Sequence, residues 1–289
     1  MGRLLKSFLF KLSRDLTFRI VLIIGAGIAF FMTGLYLLID LGLEGLAGES
    51  IKFLTGPNML LTSFNPADNF GLAIPICLIT FVCLEFSQGA IRNKIIAGHS
   101  KFQIYTSLVI SGLILAFALL FVYAGLCTLL GTIFGGFDLD EPIVLISLSI
   151  LGAYVDGLYV FEMIVTAIVV YICIVSYTVF FAALFRSVGP CIPVVVIVLI
   201  MLSVGGTMIS LIADALESDA LVNFVKFTDP LYVISGGGVE TTYIAENGNP
   251  KTYISIETSA FVATIINNLV YAGAFYAGGA LIFMKRDVK

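Results

Sequence analysis

The chain has 289 residues, of which 60% are hydrophobic and 12% are charged, with a formal net charge of −4. Several charge-free runs reach about 20 residues, the length of a helix that crosses a bilayer, so the composition indicates a membrane protein. Alternating segments of about ten residues, which a closed β-barrel needs, are absent. The charge gives no support for a nucleic-acid partner.

The sequence predicts an all-α polytopic membrane protein with one transmembrane domain over residues 1–289. Six apolar runs predict six transmembrane helices. They cover about residues 20–39, 70–86, 104–130, 163–185, 190–213 and 261–284.

Residues 3–15 predict an amphipathic helix ahead of the first span. Leu5, Phe8, Leu9 and Leu12 recur at helical spacing, with basic residues between them. Such a segment is expected to lie on the inner leaflet as an elbow helix that leads into the membrane. A basic tail that only sets the topology is the alternative.

Lysine and arginine are distributed unequally between the predicted loops. If the N-terminus is cytoplasmic, 12 of the 15 cations lie inside and 16 of the 19 acids lie outside. The positive-inside rule therefore predicts that both termini are cytoplasmic.

The predicted external segments are long enough to have structure of their own. Residues 143–161 combine the apolar run IVLISLSIL with Asp156, which predicts a helix on or dipping into the outer surface, with a seventh span as the competing interpretation. Residues 214–259 predict a short helical hairpin. An exposed loop is expected to follow at Asn247-Gly248-Asn249-Pro250.

Two polar or flexible pairs lie in the last two spans. Gly205-Gly206, near the outer end of span five, is a candidate helix break and gate. Asn267 and Asn268, in the outer half of span six, are candidates for contact with a substrate. Bonding of these asparagines to a neighbouring helix is the alternative.

All five cysteines lie inside apolar runs. We expect them to be ordinary small core residues, because none lies in an outer loop where an oxidising compartment could pair it. They are Cys77, Cys83, Cys127, Cys173 and Cys191.

A polar island, Ser87 to Lys101, separates spans two and three. Gly98 is expected to end a short helix that precedes it. Ser100 and Gln103 have the spacing of a capping box, which predicts that the third span begins at Lys101. Two helices are therefore expected to meet at a sharp corner.

The short helix at this corner has an apolar side and a polar side. Ile91 and Ile95 share one face, while Arg92, Asn93 and Lys94 supply hydrogen-bond donors. The combination predicts an apolar knob with a polar collar, a shape that a cleft on a soluble protein could hold.

The stretch from Glu85 to Tyr105, EFSQGAIRNKIIAGHSKFQIY, resembles the membrane permeases of bacterial ATP-binding-cassette exporters of the type-two export family. The pattern is an acid at the end of span two, Gly-x-Ile-Arg-Asn-Lys in a coupling helix, and Gly-x-Ser-Lys/Arg-x-x-Ile-Tyr entering span three. The elbow helix and the six spans extend the resemblance over the chain.

The resemblance implies that a coupling helix over about residues 89–98 sits in a groove of a separate ATPase subunit. The residues expected to couple the two proteins are Glu85, Ile91, Arg92, Asn93, Lys94 and Ile95. No Gly-x-x-x-x-Gly-Lys-Ser/Thr run occurs in the chain, so ATP and Mg²⁺ are expected in the partner and no cofactor in this chain.

The resemblance further implies two ATPase copies and a second permease copy, favouring a homodimer, in the bacterial plasma membrane. The spans lack internal carboxylates and cations, which argues against an ion-driven transporter and favours an amphipathic peptide or lipid-like substrate. Within the family, the chain resembles the permeases that export phenol-soluble modulins and the permeases that give immunity to lantibiotics. A membrane sensor subunit and, less favoured, an intramembrane enzyme are the alternatives.

Overall fold

The computed structural model describes residues 2–14, 16–47, 52–65, 73–138, 143–145, 150–216, 218–246 and 249–286. The beginning of the second predicted span, residues 70–72, lies outside the described residues. The same holds for Asn247 and Gly248 of the predicted exposed loop.

Ten helices form most of the described chain. They are α1 Gly2–Arg14, α2 Leu16–Ala47, α3 Gly56–Phe64, α4 Ala73–Ser87, α5 Ala90–Ile96, α6 Lys101–Gly135, α7 Gly157–Phe185, α8 Val188–Ala215, α9 Asp219–Thr228 and α10 Thr258–Lys285. Five of them are long and apolar enough to cross a bilayer, and the number is six if the bent pair α4–α5 counts as one span. The chain is therefore a multi-pass, mostly helical membrane protein, as the apolar runs predict.

The helix α1 coincides with the predicted amphipathic segment. Phe8 is completely buried, whereas Lys6 and Arg14 are exposed, as expected for a helix with one apolar face. Its position on a membrane surface stays a prediction.

The helix α3 lies in a segment for which the sequence predicted no element. Thr55 accepts a hydrogen bond from the backbone N–H of Asn58 and so caps the helix, whose residues are mostly buried. Asp40, near the end of α2, accepts hydrogen bonds from the backbone N–H groups of Phe53 (2.6 Å) and Leu54 (2.9 Å). These two hydrogen bonds hold the segment before α3 against α2.

Glycines on α6 let the chain around α3 approach closely. A Cβ atom at Gly131 would lie 2.9 Å from the carbonyl oxygen of Thr55, and one at Gly135 would collide with that of Leu54. Small residues four apart permit such contacts between backbones in membrane proteins. The backbone N–H of Gly56 donates to the carbonyl of Gly136 at 2.8 Å.

Among the described residues of 143–161, two strands of a four-stranded sheet and the start of α7 replace the single surface helix expected there. The strands are β1 Ile143–Leu145, β2 Ile150–Val155, β3 Val239–Glu246 and β4 Asn249–Ile256, in the order β1-β2-β4-β3. The prediction of a surface helix there was wrong, and so was the competing seventh span. Strand β2 is stabilised by parallel pairing with β4, which is distant in sequence.

The segment before α10 is partly as predicted. The helix α9 supplies a short helical element after α8, but strands β3 and β4 form an antiparallel hairpin where an exposed loop was expected. Alternating residues of β4, Ile254 and Ile256, are buried in an apolar cluster beneath the sheet with Tyr159 and Val233. That burial stabilises the hairpin as a sheet.

The helix α8 runs without interruption from Val188 to Ala215. The prediction that Gly205-Gly206 breaks it was wrong. Gly205 has open space beside it, but a Cβ atom at Gly206 would collide with the carboxylate of Asp229. Gly206 therefore admits a close neighbour without breaking the helix.

The bundle has two ends. Helix α5, the beginning of α6 and the C-terminal end of α10 lie at what we call the corner end, where Lys101 contacts the backbone at Met284. The sheet and α9 lie at the opposite end, called the sheet end.

Replacing Gly135 by alanine should lower the free energy of unfolding by about 1–3 kcal/mol, because the new methyl group meets backbone atoms that cannot move independently. SDS-induced equilibrium unfolding in mixed micelles measures the effect. Gly125→Ala is the matched control, since it adds the same methyl group to α6 where no atom lies within 4 Å. Equal stability of the two variants would contradict the packing described for α3.

Candidate functional site

The corner between α4 and α6 is built from two glycines and a capping box. Gly89 (φ 69°) and Gly98 (φ 89°) adopt left-handed conformations at the two ends of α5. The axes of α4 and α5 differ by 56°. Ser100 Oγ accepts from the backbone N–H of Gln103 at 3.2 Å, and Gln103 Oε1 accepts from that of Ser100 at 3.4 Å. The predicted helix end at Gly98 and the capping box are confirmed.

An ion pair joins the end of α4 to α5. Lys94 Nζ lies 2.7 Å from Glu85 Oε2, and the Glu85 side chain has 0% exposed surface against 15% for Lys94. A buried carboxylate without a counter-charge is strongly destabilising, so this contact holds α5 against the bundle.

Lys94 also contacts α1. Its Nζ lies 3.2 Å from the centroid of the Phe8 ring, a cation–π geometry. The Phe8 ring packs edge-on against Phe81 of α4, with 6.4 Å between centroids. Three helices, α1, α4 and α5, therefore meet around one ammonium group.

The apolar side of α5 faces the bundle. Ile91 is completely buried and Ile95 packs against the core, so the predicted apolar knob does not project from the protein. The exposed side chains are Arg92, Asn93 and Ile96, the last with 74% of its surface accessible. A protein that docks on this helix would meet these three residues.

A second set of contacts, which the sequence gave no reason to expect, closes the corner end. Lys101 Nζ donates to the carbonyl oxygens of Met284 (3.1 Å) and Arg286 (3.0 Å). Arg286 Nη1 donates to the carbonyl of Leu184 at 2.6 Å. The end of α10 is thus tied to both α6 and α7.

At the sheet end, a buried lysine fastens α9 to the start of α10. Lys226 Nζ lies 2.9 Å from both carboxylate oxygens of Glu257 and also donates to Ser259 Oγ. The hydrogen bonds from Ser259 and Lys226 lower the pKa of the Glu257 carboxyl group. The carboxylate form is therefore favoured, which keeps this clamp closed.

The candidate substrate residues of span six bind the same segment. Asn267 Nδ2 donates to the carbonyl of Lys226 at 3.2 Å, and Asn268 Nδ2 donates to that of Pro230 at 2.8 Å. Tyr271 Oη donates to the carbonyl of Thr228 at 3.0 Å. These side chains attach α10 to α9 and the turn that follows it, which matches the alternative of bonding to a neighbouring element.

Asp229 connects this segment to α8. Its Oδ1 accepts from the backbone N–H of Leu231 at 2.9 Å, and its Oδ2 lies against Gly206. Burial raises the pKa of the Asp229 carboxyl group from 3.8 to about 6, although the Leu231 hydrogen bond opposes the shift. Sequence reasoning missed this residue because its burial depends on a helix some 20 positions earlier in the chain.

Within the described ranges, no group of three or more His, Cys, Asp or Glu side chains is placed to hold a metal ion. The assignment of ATP and Mg²⁺ to a partner subunit stays a prediction.

Comparison of the chain with protein families, with curated proteins and with solved structures finds no match.

Replacing Lys94 by methionine should lower the free energy of unfolding by about 3–5 kcal/mol, because it removes the ammonium group that lies 2.7 Å from the buried Glu85 carboxylate. The double variant Glu85→Gln/Lys94→Met should recover most of that loss. Arg92→Met is the control, because it removes an exposed cation from the same helix and is expected to change stability by less than about 0.5 kcal/mol. A cost for Lys94→Met no larger than that of the control would show that the pair does not hold the corner.

The raised pKa of Asp229 predicts a pH-dependent stability. The folded state holds this proton more strongly than the unfolded state, so the free energy of unfolding should fall as pH rises from about 4 to about 6, by at most about 3 kcal/mol. Asp229→Asn keeps the acceptor for Leu231 and should melt at a higher temperature than the native protein at pH 7.5.

Measurement of the two melting temperatures at several pH values checks this prediction. The difference between Asp229→Asn and the native protein should shrink towards pH 4. A difference that is the same at both ends of the range would show that the carboxylate is not desolvated.

Proposed function

We propose that the chain is the permease subunit of an ATP-driven exporter, in which a separate ATPase binds α5 and moves the spanning helices. The supporting observation is the corner itself. A short helix, bent by 56° from α4, is attached to the bundle by an ion pair and presents a small polar surface. The proposal also uses the resemblance of residues 85–105 to type-two exporter permeases.

Each residue of the corner has a distinct part in the proposal. Arg92 and Asn93 are exposed and bind the ATPase, together with Ile96. Glu85 and Lys94 face each other and do not bind the partner directly. They transmit its motion to α4, because a buried ion pair is lost only at a cost of several kcal/mol.

Motion of the corner reaches other helices through specific contacts. Because Lys94 of α5 lies over the Phe8 ring of α1, these two helices move together. Lys101 binds the C-terminal end of α10, so this end moves with α6. The other half of α10 binds α9 and its following turn through Asn267 and Asn268. In the proposed cycle, ATP-driven closure of the ATPase at the corner end therefore displaces the α9 segment at the sheet end, which acts as the gate.

The substrate class follows from the chemistry of the spans. No Asp, Glu, Lys or Arg lies in the middle turns of the six spans. Such a path offers no site for an ion or a proton relay, and it suits an amphipathic peptide or a lipid-like molecule. Two copies of the chain, each with one ATPase subunit, would form one pathway.

The proposal is tested by co-expressing the chain with candidate ATPase subunits and purifying it in nanodiscs. An ATPase should co-purify with the native chain, and Arg92→Glu should reduce its recovery by about tenfold or more, because an unfavourable charge at an interface costs several kcal/mol. Lys285→Glu is the control, since it reverses an equally exposed cation at the same end of the bundle.

Absence of any co-purifying ATPase, or equal recovery for Arg92→Glu and Lys285→Glu, would contradict the proposal. Reconstituted vesicles then separate an exporter from a sensor subunit. ATP-dependent accumulation of an amphipathic peptide in inverted vesicles is expected of the exporter alone.

A further inference from the structure

Two of the five cysteines lie side by side on different spans. The side chains of Cys83 of α4 and Cys191 of α8 are neighbours, and they are 1% and 0% exposed. The sequence predicted ordinary small core residues, because positions 83 and 191 have no relation that spacing could reveal. Both are free cysteines in the structure.

The contact belongs to a regular helix interface. Cys191, Val195 and Leu199 recur every four residues on α8 and are buried, so this stripe is the packed side of a helix whose other residues are largely exposed. Cys83 lies on α4 two residues before Glu85, and Cys191 lies in the first turn of α8. The pair is therefore close to the corner end of the bundle.

The other cysteines whose partners are described have different neighbours. Cys127 lies beside Tyr123, one turn earlier on its own helix, and Cys173 lies near Tyr177, one turn later on its own. A tyrosine has no sulfur atom and cannot form a disulfide with a thiol. Cys127 and Cys173 thus serve as internal controls for reactivity.

We propose that Cys83 and Cys191 are a redox site, at which a lipid-soluble two-electron oxidant of the quinone class joins α4 to α8 by a disulfide. The two S–H bonds break and one S–S bond forms, while the two protons and two electrons reduce the quinone to the hydroquinone. The two sulfur atoms must approach to about 2.05 Å, so oxidation draws α4 and α8 together at this point. A dithiol reductant reverses the reaction by thiol–disulfide exchange.

The disulfide acts as a lock. It fixes α4, which carries Glu85 and so the corner, to α8, the spanning helix with the smallest buried share. This consequence rests on the proposed function, because a lock matters only if α4 and α8 move relative to each other. The chemistry of the pair does not depend on that function.

Thiol counting tests the chemistry directly. The full chain in nanodiscs is treated with a short-chain ubiquinone analogue, denatured, alkylated with N-ethylmaleimide and weighed by mass spectrometry. Alkylated thiols should fall from five to three and return to five after dithiothreitol. Peptide mapping should place the disulfide between residues 83 and 191.

Serine variants make the assignment specific. Cys83→Ser and Cys191→Ser should each keep all of their four thiols after oxidation, whereas Cys127→Ser should lose two of its four. Retention of all five thiols by the native chain would overturn the proposal. So would a disulfide that forms equally well in Cys83→Ser.

The lock has its own measurement in the complex with the ATPase. Oxidation should lower ATP turnover at least about fivefold in the Cys127→Ser complex and leave the Cys83→Ser complex unchanged, with recovery after reduction. If the disulfide forms but turnover does not change, the redox site stands and the lock is wrong. If no ATPase binds, the proposed function fails, and thiol counting still decides the redox site.

Discussion

The Glu85 carboxylate, which has no exposed surface, determines the arrangement of the corner end. A charge in an apolar bundle needs a close counter-charge. Lys94 can reach it only if the chain turns back after α4, and Gly89 supplies the left-handed conformation for that turn. Since the same ammonium group lies on the ring of Phe8, the position of α1 follows from the same ion pair.

The sheet end is held by several hydrogen bonds together with the Lys226–Glu257 ion pair. Side chains of α10 bind successive carbonyl groups of α9 and its following turn, and Glu257 binds Lys226. The strands contribute an apolar face that covers the start of α7. The two ends therefore differ in kind, with a compact ionic joint at one and an extended polar and sheet contact at the other.

In the proposed exporter, the ATPase acts on the corner end and the gate lies at the sheet end, so the two ends have different tasks. Arg92 and Asn93 are available to a partner, while the residues next to them are engaged inside the chain. Asp229, a carboxyl group desolvated against Gly206, makes the stability of the sheet end fall as the group ionises. The thiol pair of α4 and α8 lies close to the corner end and links α4 to α8, the span with the smallest buried share.

Local signals in the sequence determined most of the helices and the turn chemistry of the corner. Apolar runs of bilayer length, the glycine at position 98 and the Ser100–Gln103 spacing each act over a few residues, so they can be read without a structure. Only the tertiary structure revealed the sheet, helix α3, the burial of Ile91, and the contacts of Asp229 with Gly206 and of Cys83 with Cys191. Each of these depends on a partner distant in the chain, whose position is set by packing and hydrogen bonding rather than by any periodicity.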